Sequence, residues 1–180
     1  ICIAEKTRPT EDMVRAMFEQ NSAGAGIAWR KNRTTTKWKK GLELPEIIDL
    51  CRTVPLPYVA HFRIPTCGGR VKPLCHPFPI AADAATALEG EINGKVLFHN
   101  GHWTNWKDTI LSAVVKGGLK LPKGRWSDTR AMAWVTHYYG IGMLELIDEK
   151  AVAFGPDEIE VFPVGGGWAL VNDVFVSNRS

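Results

Sequence analysis

The distribution of short strand patterns along the chain is the feature that most constrains its fold. Segments typical of strands occur at residues 1–4, 24–29, 34–39, 57–63 and 94–98, and again at 152–154, 158–162, 168–171 and 174–177. The intervening sequence predicts helices over residues 9–20, 45–54, 104–116 and 127–139, with Thr10 and Ser127 as N-caps. Because strands dominate both ends and helices lie between them, the sequence predicts an α+β domain.

Length and charge favour one soluble domain over residues 1–180. The net charge of +3 arises from 22 basic and 19 acidic residues, and the basic ones cluster only between residues 30 and 40. That run is expected to be a solvated hairpin face, so nucleic-acid binding is not predicted. No apolar run approaches the roughly 20 residues of a membrane span, and the sequence shows no signal peptide. We therefore expect a cytoplasmic protein without membrane association.

Residues 64–80 contain four prolines and two adjacent glycines, a composition that predicts an irregular surface connection. Cys75 and His76 lie within this segment and could suggest a metal site. No second set of ligands has suitable spacing, so neither a metal nor a cofactor is expected. The four cysteines are too sparse for a disulfide scaffold.

Cys2 is the candidate nucleophile of the chain. A cysteine attacks as the thiolate, and a free α-amino group can serve as its local base. That arrangement requires Cys2 to become the first residue, and Ile1 as written blocks it. The alternative is that Cys2 is a small apolar residue in a strand.

Arg63 and Asp128 are candidates for binding the two charged ends of an amino acid. Arg63 follows a predicted strand and can hold a carboxylate by two parallel hydrogen bonds. Asp128 stands at a helix start and can attract an ammonium group. Each also has a structural alternative, since arginines pair with structural acids and carboxylates are favoured at helix N-termini anyway.

His99, Asn100 and Gly101 form the fourth candidate group. The Asn100 side-chain amide and the Gly101 backbone amide could together stabilise the negative charge of a tetrahedral intermediate. Asn-Gly is also a strong hairpin signal, so a simple turn is the alternative. Together, a thiol, a carboxylate binder, oxyanion donors and an ammonium binder describe a site for an amino-acid amide.

At these positions the sequence resembles the class II glutamine amidotransferase domain of the N-terminal nucleophile (Ntn) hydrolases. The resemblance spans nearly the whole chain and is carried, in the family's order, by Cys2, residues 21–28, residues 61–69, His99–Asn100–Gly101 and Ser127–Asp128–Thr129. It implies a four-layer αββα sandwich of two antiparallel sheets. It also implies hydrolysis of the glutamine side-chain amide through a γ-glutamyl thioester on Cys2.

The resemblance assigns a role to each matching residue. Asn100 and Gly101 match the oxyanion donors, Arg63 matches the residue that binds the glutamine α-carboxylate, and Asp128 matches the one that receives the α-amino group. Thr66 matches a position that lines the glutamine pocket. Because the chain has no room for a second catalytic domain, we expect a stand-alone glutaminase that supplies ammonia to a separate synthase.

Two other functions remain open at the level of sequence. The same nucleophile could serve another amide, which would make the protein a general Ntn amidohydrolase. If Ile1 is retained, the domain would instead be a catalytically silent binding module. Glutamine-specific hydrolysis that depends on Arg63 would count against the first alternative, and removal of Ile1 would count against the second.

Overall fold

Two antiparallel sheets and five α-helices form the protein in the computed structural model, which describes residues 1–64, 69, 71–163 and 167–178. The strands are β1 Cys2–Ala4, β2 Ala25–Arg30, β3 Thr36–Leu42, β4 Tyr58–Phe62, β5 Phe78–Pro79, β6 Glu89–Ile92, β7 Val96–Asn100, β8 Lys150–Phe154, β9 Ile159–Phe162, β10 Ala169–Val171 and β11 Val174–Val176. The helices are α1 Glu11–Gln20, α2 Leu44–Thr53, α3 Trp106–Val115, α4 Asp128–Tyr139 and α5 Met143–Ile147. The predicted α+β class with two antiparallel sheets is confirmed.

The larger sheet has seven strands in the order β10, β11, β1, β4, β2, β3, β6, and the smaller has four in the order β5, β7, β8, β9. All neighbouring strands pair antiparallel. The first and last strands of the chain are adjacent, because β1 lies between β11 and β4. The first residues of the chain are thereby placed beside the last described ones.

Three apolar clusters show how the sheets and helices are layered. Ile3 and Val59 of the larger sheet share one cluster with Phe98 and Val152 of the smaller sheet. A second cluster joins the larger sheet to α1 and α2, and a third joins the smaller sheet to α3, α4 and α5. Helices therefore cover the outer face of each sheet, an arrangement compatible with a sandwich.

Local capping explains where the long helices begin. Thr10 Oγ1 accepts a hydrogen bond from the backbone N–H of Met13 (3.3 Å), and Ser127 Oγ accepts one from that of Arg130 (3.2 Å). Both bonds satisfy backbone donors that a helix start leaves unpaired. Both predicted N-caps are confirmed.

Three local predictions differ from the structure. Strand β6 was not predicted because Glu89 and Glu91 interrupt its apolar pattern at the sheet edge, and α5 is too short to show a helical period. The predicted surface connection is wrong over residues 74–79, which are buried. Apolar Leu74 and Phe78 pack in the core of the smaller sheet and carry this segment inward.

Gly26 provides a test of the fold where β2 meets the buried segment. An added Cβ at Gly26 would lie 1.8 Å from the His76 carbonyl oxygen, a backbone atom that cannot rotate away. We expect Gly26→Ala to lower the free energy of unfolding by about 3 kcal/mol. Urea unfolding followed by tryptophan fluorescence measures this. Gly142→Ala is the matched control, because a Cβ there meets nothing within 4 Å; an equal loss in both variants would contradict the assignment.

Candidate functional site

Four of the predicted site residues line one cavity of about 380 Å³, which we call the polar cavity: Arg63, Asn100, Gly101 and Asp128. They come from the ends of β4 and β7 and from the start of α4. Strand ends and helix starts hold side chains on rigid elements, so their relative positions are fixed. The predicted pocket residue Thr66 lies outside the described residues.

Arg63 follows the last residue of β4 and is buried. Its backbone N–H donates to the Gly24 carbonyl (3.0 Å), and its own carbonyl accepts from the Ala23 N–H (3.0 Å). The guanidinium Nη1 donates to the Gly69 carbonyl (2.7 Å). This bond orients the guanidinium, whose five N–H donors diverge in one plane.

Asp128 is the first residue of α4, and its carboxylate is also buried. One oxygen accepts from the backbone N–H of Thr129 (2.9 Å) and the other from that of Trp103 (3.3 Å). The helix dipole favours a negative charge at this position. His102 Nδ1 lies 3.6 Å from the carboxylate. Because a carboxylate has about four acceptor sites, further capacity remains for a cation in the cavity.

Three buried histidines, which we call the histidine floor, line the polar cavity: His61, His76 and His99. The rings of His61 and His76 are 4.0 Å apart, and the His99 N–H donates to His76 Nδ1 (3.4 Å). Burial lowers the pKa of all three, so they are neutral near pH 7. Among the described residues, His61 Nδ1 and His99 Nε2 have no hydrogen-bond partner. The floor is therefore uncharged and has free ring nitrogens.

Asn100 ends β7, where it pairs with Lys150 of β8. Asn100 and Gly101 do not form a hairpin turn between β7 and β8, because three helices separate these two strands in the sequence. The Asn100 side-chain amide donates to Ser177 Oγ (2.9 Å) and to Asn178 Oδ1 (3.1 Å). This amide is held at the end of the strand, beside the C-terminal end of β11.

Cys2 does not line the polar cavity in this structure. Its side chain belongs to the cluster between the larger sheet and helices α1 and α2, which also contains Cys51. Burial raises the pKa of the Cys2 thiol to about 12. With Ile1 in place, the structure therefore keeps this thiol neutral and separate from Arg63, Asn100 and Asp128.

The amino group of Ile1 lies close to Asn100. It donates to Ser177 Oγ (2.8 Å), the same oxygen that accepts from the Asn100 amide. Burial and the nearby Lys150 lower the pKa of this amino group to about 6. Side chains alternate along a strand, so Ile1 and Ile3 contact the cluster between the sheets while Cys2 faces the opposite side.

Sequence reasoning did not identify Ser177, Asn178 or His76 as parts of this region. His76 was considered only as a metal ligand, and among the described residues no group of three or more acidic, histidine or cysteine side chains could hold a metal ion. Ser177 and Asn178 follow an apolar strand, which is the one signal that could have suggested them. Their proximity to Ile1 depends on the sheet order.

Comparison with known proteins does not assign the chain to a family, because no family model and no curated protein matches it. Within the described part of the chain, none of the helices combines the length and the apolar character needed to cross a membrane. The functional argument therefore depends on the geometry of the cavity and on the chemistry of its residues.

The burial of Cys2 predicts slow reaction with thiol reagents while Ile1 is present. A thiol with a pKa of about 12 is almost entirely protonated at pH 8. We expect alkylation of Cys2 by iodoacetamide at pH 8 to be about 10³-fold slower than that of an unperturbed cysteine. Mass spectrometry of the peptide containing Cys2 measures the rate, with the urea-unfolded chain as the control. Equal rates in the folded and unfolded chain would contradict this prediction.

Proposed function

We propose that the protein hydrolyses the side-chain amide of L-glutamine, with Cys2 as the nucleophile once Cys2 is the first residue of the chain. One observation carries this proposal: Arg63, Asp128 and Asn100 lie on one cavity although they are far apart in sequence. The cavity thus offers a cation, an anion and an amide donor, which match the α-carboxylate, α-ammonium and side-chain carbonyl of glutamine.

In the proposed complex, the charged groups fix the orientation of glutamine. Arg63 binds the α-carboxylate, and Asp128 accepts hydrogen bonds from the α-ammonium group. The neutral histidine floor accepts or donates hydrogen bonds without competing for either charge. The side-chain amide then extends towards Asn100 and Gly101, whose N–H groups stabilise the oxyanion that forms on the carbonyl oxygen.

Removal of Ile1 is the step that gives the Cys2 thiol access to the substrate carbonyl beside Asn100. The backbone at Ile1 leads from Cys2 to Ser177, and Ser177 contacts Asn100. Without Ile1, rotation about the Cα–C bond of Cys2 brings its thiol-bearing methylene to the position that its nitrogen occupies in the chain with Ile1, and the amine moves to a third position around that bond. The thiol then leaves the helix-side cluster, and its pKa falls as burial is lost.

The proposed reaction has two half-reactions. The Cys2 amine takes the thiol proton, and the sulfur attacks the amide carbon to form a tetrahedral intermediate. The carbon–nitrogen bond of the substrate breaks, and the departing nitrogen takes the proton from the Cys2 amine. Ammonia is released, and a γ-glutamyl thioester remains on Cys2. Water then attacks the thioester, which releases glutamate and restores the thiol.

The layered arrangement of sheets and helices supports assignment to the Ntn-hydrolase sandwich. We propose that a separate cytoplasmic synthase accepts the ammonia.

A comparison of two chains tests the proposal. The chain that begins at Cys2 is expected to release ammonia and glutamate from L-glutamine, while the chain that retains Ile1 does not. A coupled glutamate dehydrogenase assay measures glutamate, and intact mass shows which residue is first. Absence of glutamate from a folded chain with Cys2 at its start would overturn the proposal.

Arg63→Ala tests the assignment of the carboxylate partner. Loss of a charge-assisted pair costs about 2.7 kcal/mol, so we expect the KM for glutamine to rise about 100-fold. Steady-state kinetics on the chain that begins at Cys2 measure KM and kcat. Arg52→Ala is the matched control, because the Arg52 side chain is exposed and pairs with Asp49 on its own helix. An unchanged KM in Arg63→Ala would favour an amidohydrolase for another amide.

The burial of Cys2 favours a second candidate function. A chain that keeps Ile1 has a neutral, inaccessible thiol but the same charged groups around the polar cavity. Such a chain would bind amino acids without turnover. Calorimetric binding of glutamine to the chain with Ile1, together with a lack of activity after Ile1 is removed, would establish this alternative.

A further inference from the structure

A second cavity of about 510 Å³ adjoins the polar cavity. It lies between α1 and the end of the larger sheet, and we call it the methionine cavity after Met13 and Met17. The two cavities share five lining residues: Asn21, Phe62, Ile64, Asn100 and Asn178. Asn100 is therefore one of the residues at their junction.

The two cavities differ in chemistry. Met13 and Met17 of α1 and Val171 and Val176 of the larger sheet line the apolar part of the methionine cavity, and uncharged polar side chains line the rest. No acidic or basic side chain is present among the described residues that line it. Arg63 and Asp128, by contrast, line the polar cavity. A ligand that spans the junction would thus have a charged end on one side of Asn100 and an apolar group on the other.

We propose that the preferred substrates are γ-glutamyl amides whose nitrogen carries an apolar substituent, rather than glutamine itself. This inference rests on the proposed function. With the α-amino-acid end held by Arg63 and Asp128 and the γ-carbonyl at Asn100, the amide nitrogen points away from the polar cavity. Its substituent then enters the methionine cavity, where flexible methionine side chains adapt to apolar groups of different shape.

The step balances in the same way as glutamine hydrolysis. The Cys2 sulfur forms a bond to the γ-carbon, and the bond from that carbon to the substituted nitrogen breaks. The nitrogen takes the proton that the Cys2 amine received from the thiol, so a primary amine leaves in place of ammonia. Water completes the hydrolysis of the thioester to glutamate. No oxidant, reductant or further reactant is needed.

The test compares γ-L-glutamyl-benzylamide with L-glutamine on the full chain that begins at Cys2. We expect kcat/KM to be at least about 10-fold higher for the benzylamide, because burial of its ring adds binding energy that glutamine lacks. Met17→Gln should reduce the ratio of the two kcat/KM values about 10-fold. Met143→Gln is the matched control, since Met143 lies on α5 on the other side of the molecule.

The outcomes distinguish failure of the substrate preference from failure of the proposed function. Hydrolysis of glutamine with an equal or lower kcat/KM for the benzylamide overturns the inference and leaves glutaminase activity standing. Failure on both substrates contradicts the proposed function. Calorimetry on the Cys2→Ala chain then still tests the inference, because the benzylamide should bind at least 10-fold more tightly than glutamine. Equal affinities would overturn it.

Discussion

Cys2→Ala, made in the chain that begins at residue 2, should lower kcat for glutamine hydrolysis by more than about 10³-fold. The reason is chemical, since alanine cannot form the γ-glutamyl thioester and neither Cys51 nor Cys75 lines the polar cavity. Glutamate formation measured by the coupled assay gives kcat. A diazoketone analogue of glutamine should label the peptide that contains Cys2 in the unsubstituted chain, and it should not label the corresponding peptide of the variant.

Cys51→Ala is the matched control for this experiment. Cys51 is buried in the same apolar cluster as Cys2, but it lies on α2 and does not line the polar cavity. Its substitution removes a similar volume and a similar thiol, so stability falls while kcat stays within about twofold. Equal losses of kcat in both variants would show that packing, rather than nucleophilic attack, explains the effect of Cys2→Ala.

The elements that could be predicted from sequence are those set by local chemistry. Thr10 and Ser127 cap helices because their hydroxyls bond to backbone N–H groups three residues later. The hairpin expected over residues 30–40 is present as the β2–β3 pair, whose strands are separated only by a short polar turn. In each case the interacting residues are close in sequence, so the local sequence pattern predicts the interaction.

The order of strands in the sheets could not be predicted in this way. Ile1 and Ser177 are hydrogen-bonded although 176 positions separate them, because β1 lies between β11 and β4. Nothing local in either segment specifies this pairing. The same long-range contact brings Ser177 and Asn178 to Asn100, which is why the sequence did not reveal them as neighbours of the candidate site.

The candidate site likewise contains residues that could be predicted from local sequence and one whose orientation could not. Arg63 and Asp128 were predicted from their positions at a strand end and a helix start, and the structure places both on one cavity. The orientation of Cys2 depends on the register of β1, since a shift of one residue moves every side chain to the other face of the sheet. A three-residue strand gives too little pattern to fix that register from sequence.

Asn100→Ala should lower kcat by about 10²- to 10³-fold in the chain that begins at Cys2, with little change in KM. The amide of Asn100 stands at the junction of the two cavities and donates to Ser177 and Asn178 in the absence of substrate. In the proposed reaction, the oxyanion replaces one of these acceptors. Its charge develops only in the transition state, so the loss appears in kcat. Steady-state kinetics separate the two parameters.

Two further variants distinguish this role from a structural one. Asn100→Asp keeps the shape and can still accept hydrogen bonds, but its negative charge would repel the oxyanion, so kcat should fall at least as far as in Asn100→Ala. Asn105→Ala, at an exposed position beside α3, is the control that leaves kcat unchanged. Full activity in Asn100→Asp would contradict the oxyanion role, because a carboxylate has no N–H to donate. A rise in KM alone in Asn100→Ala would show that the amide binds glutamine rather than stabilising the intermediate, because loss of transition-state stabilisation lowers kcat.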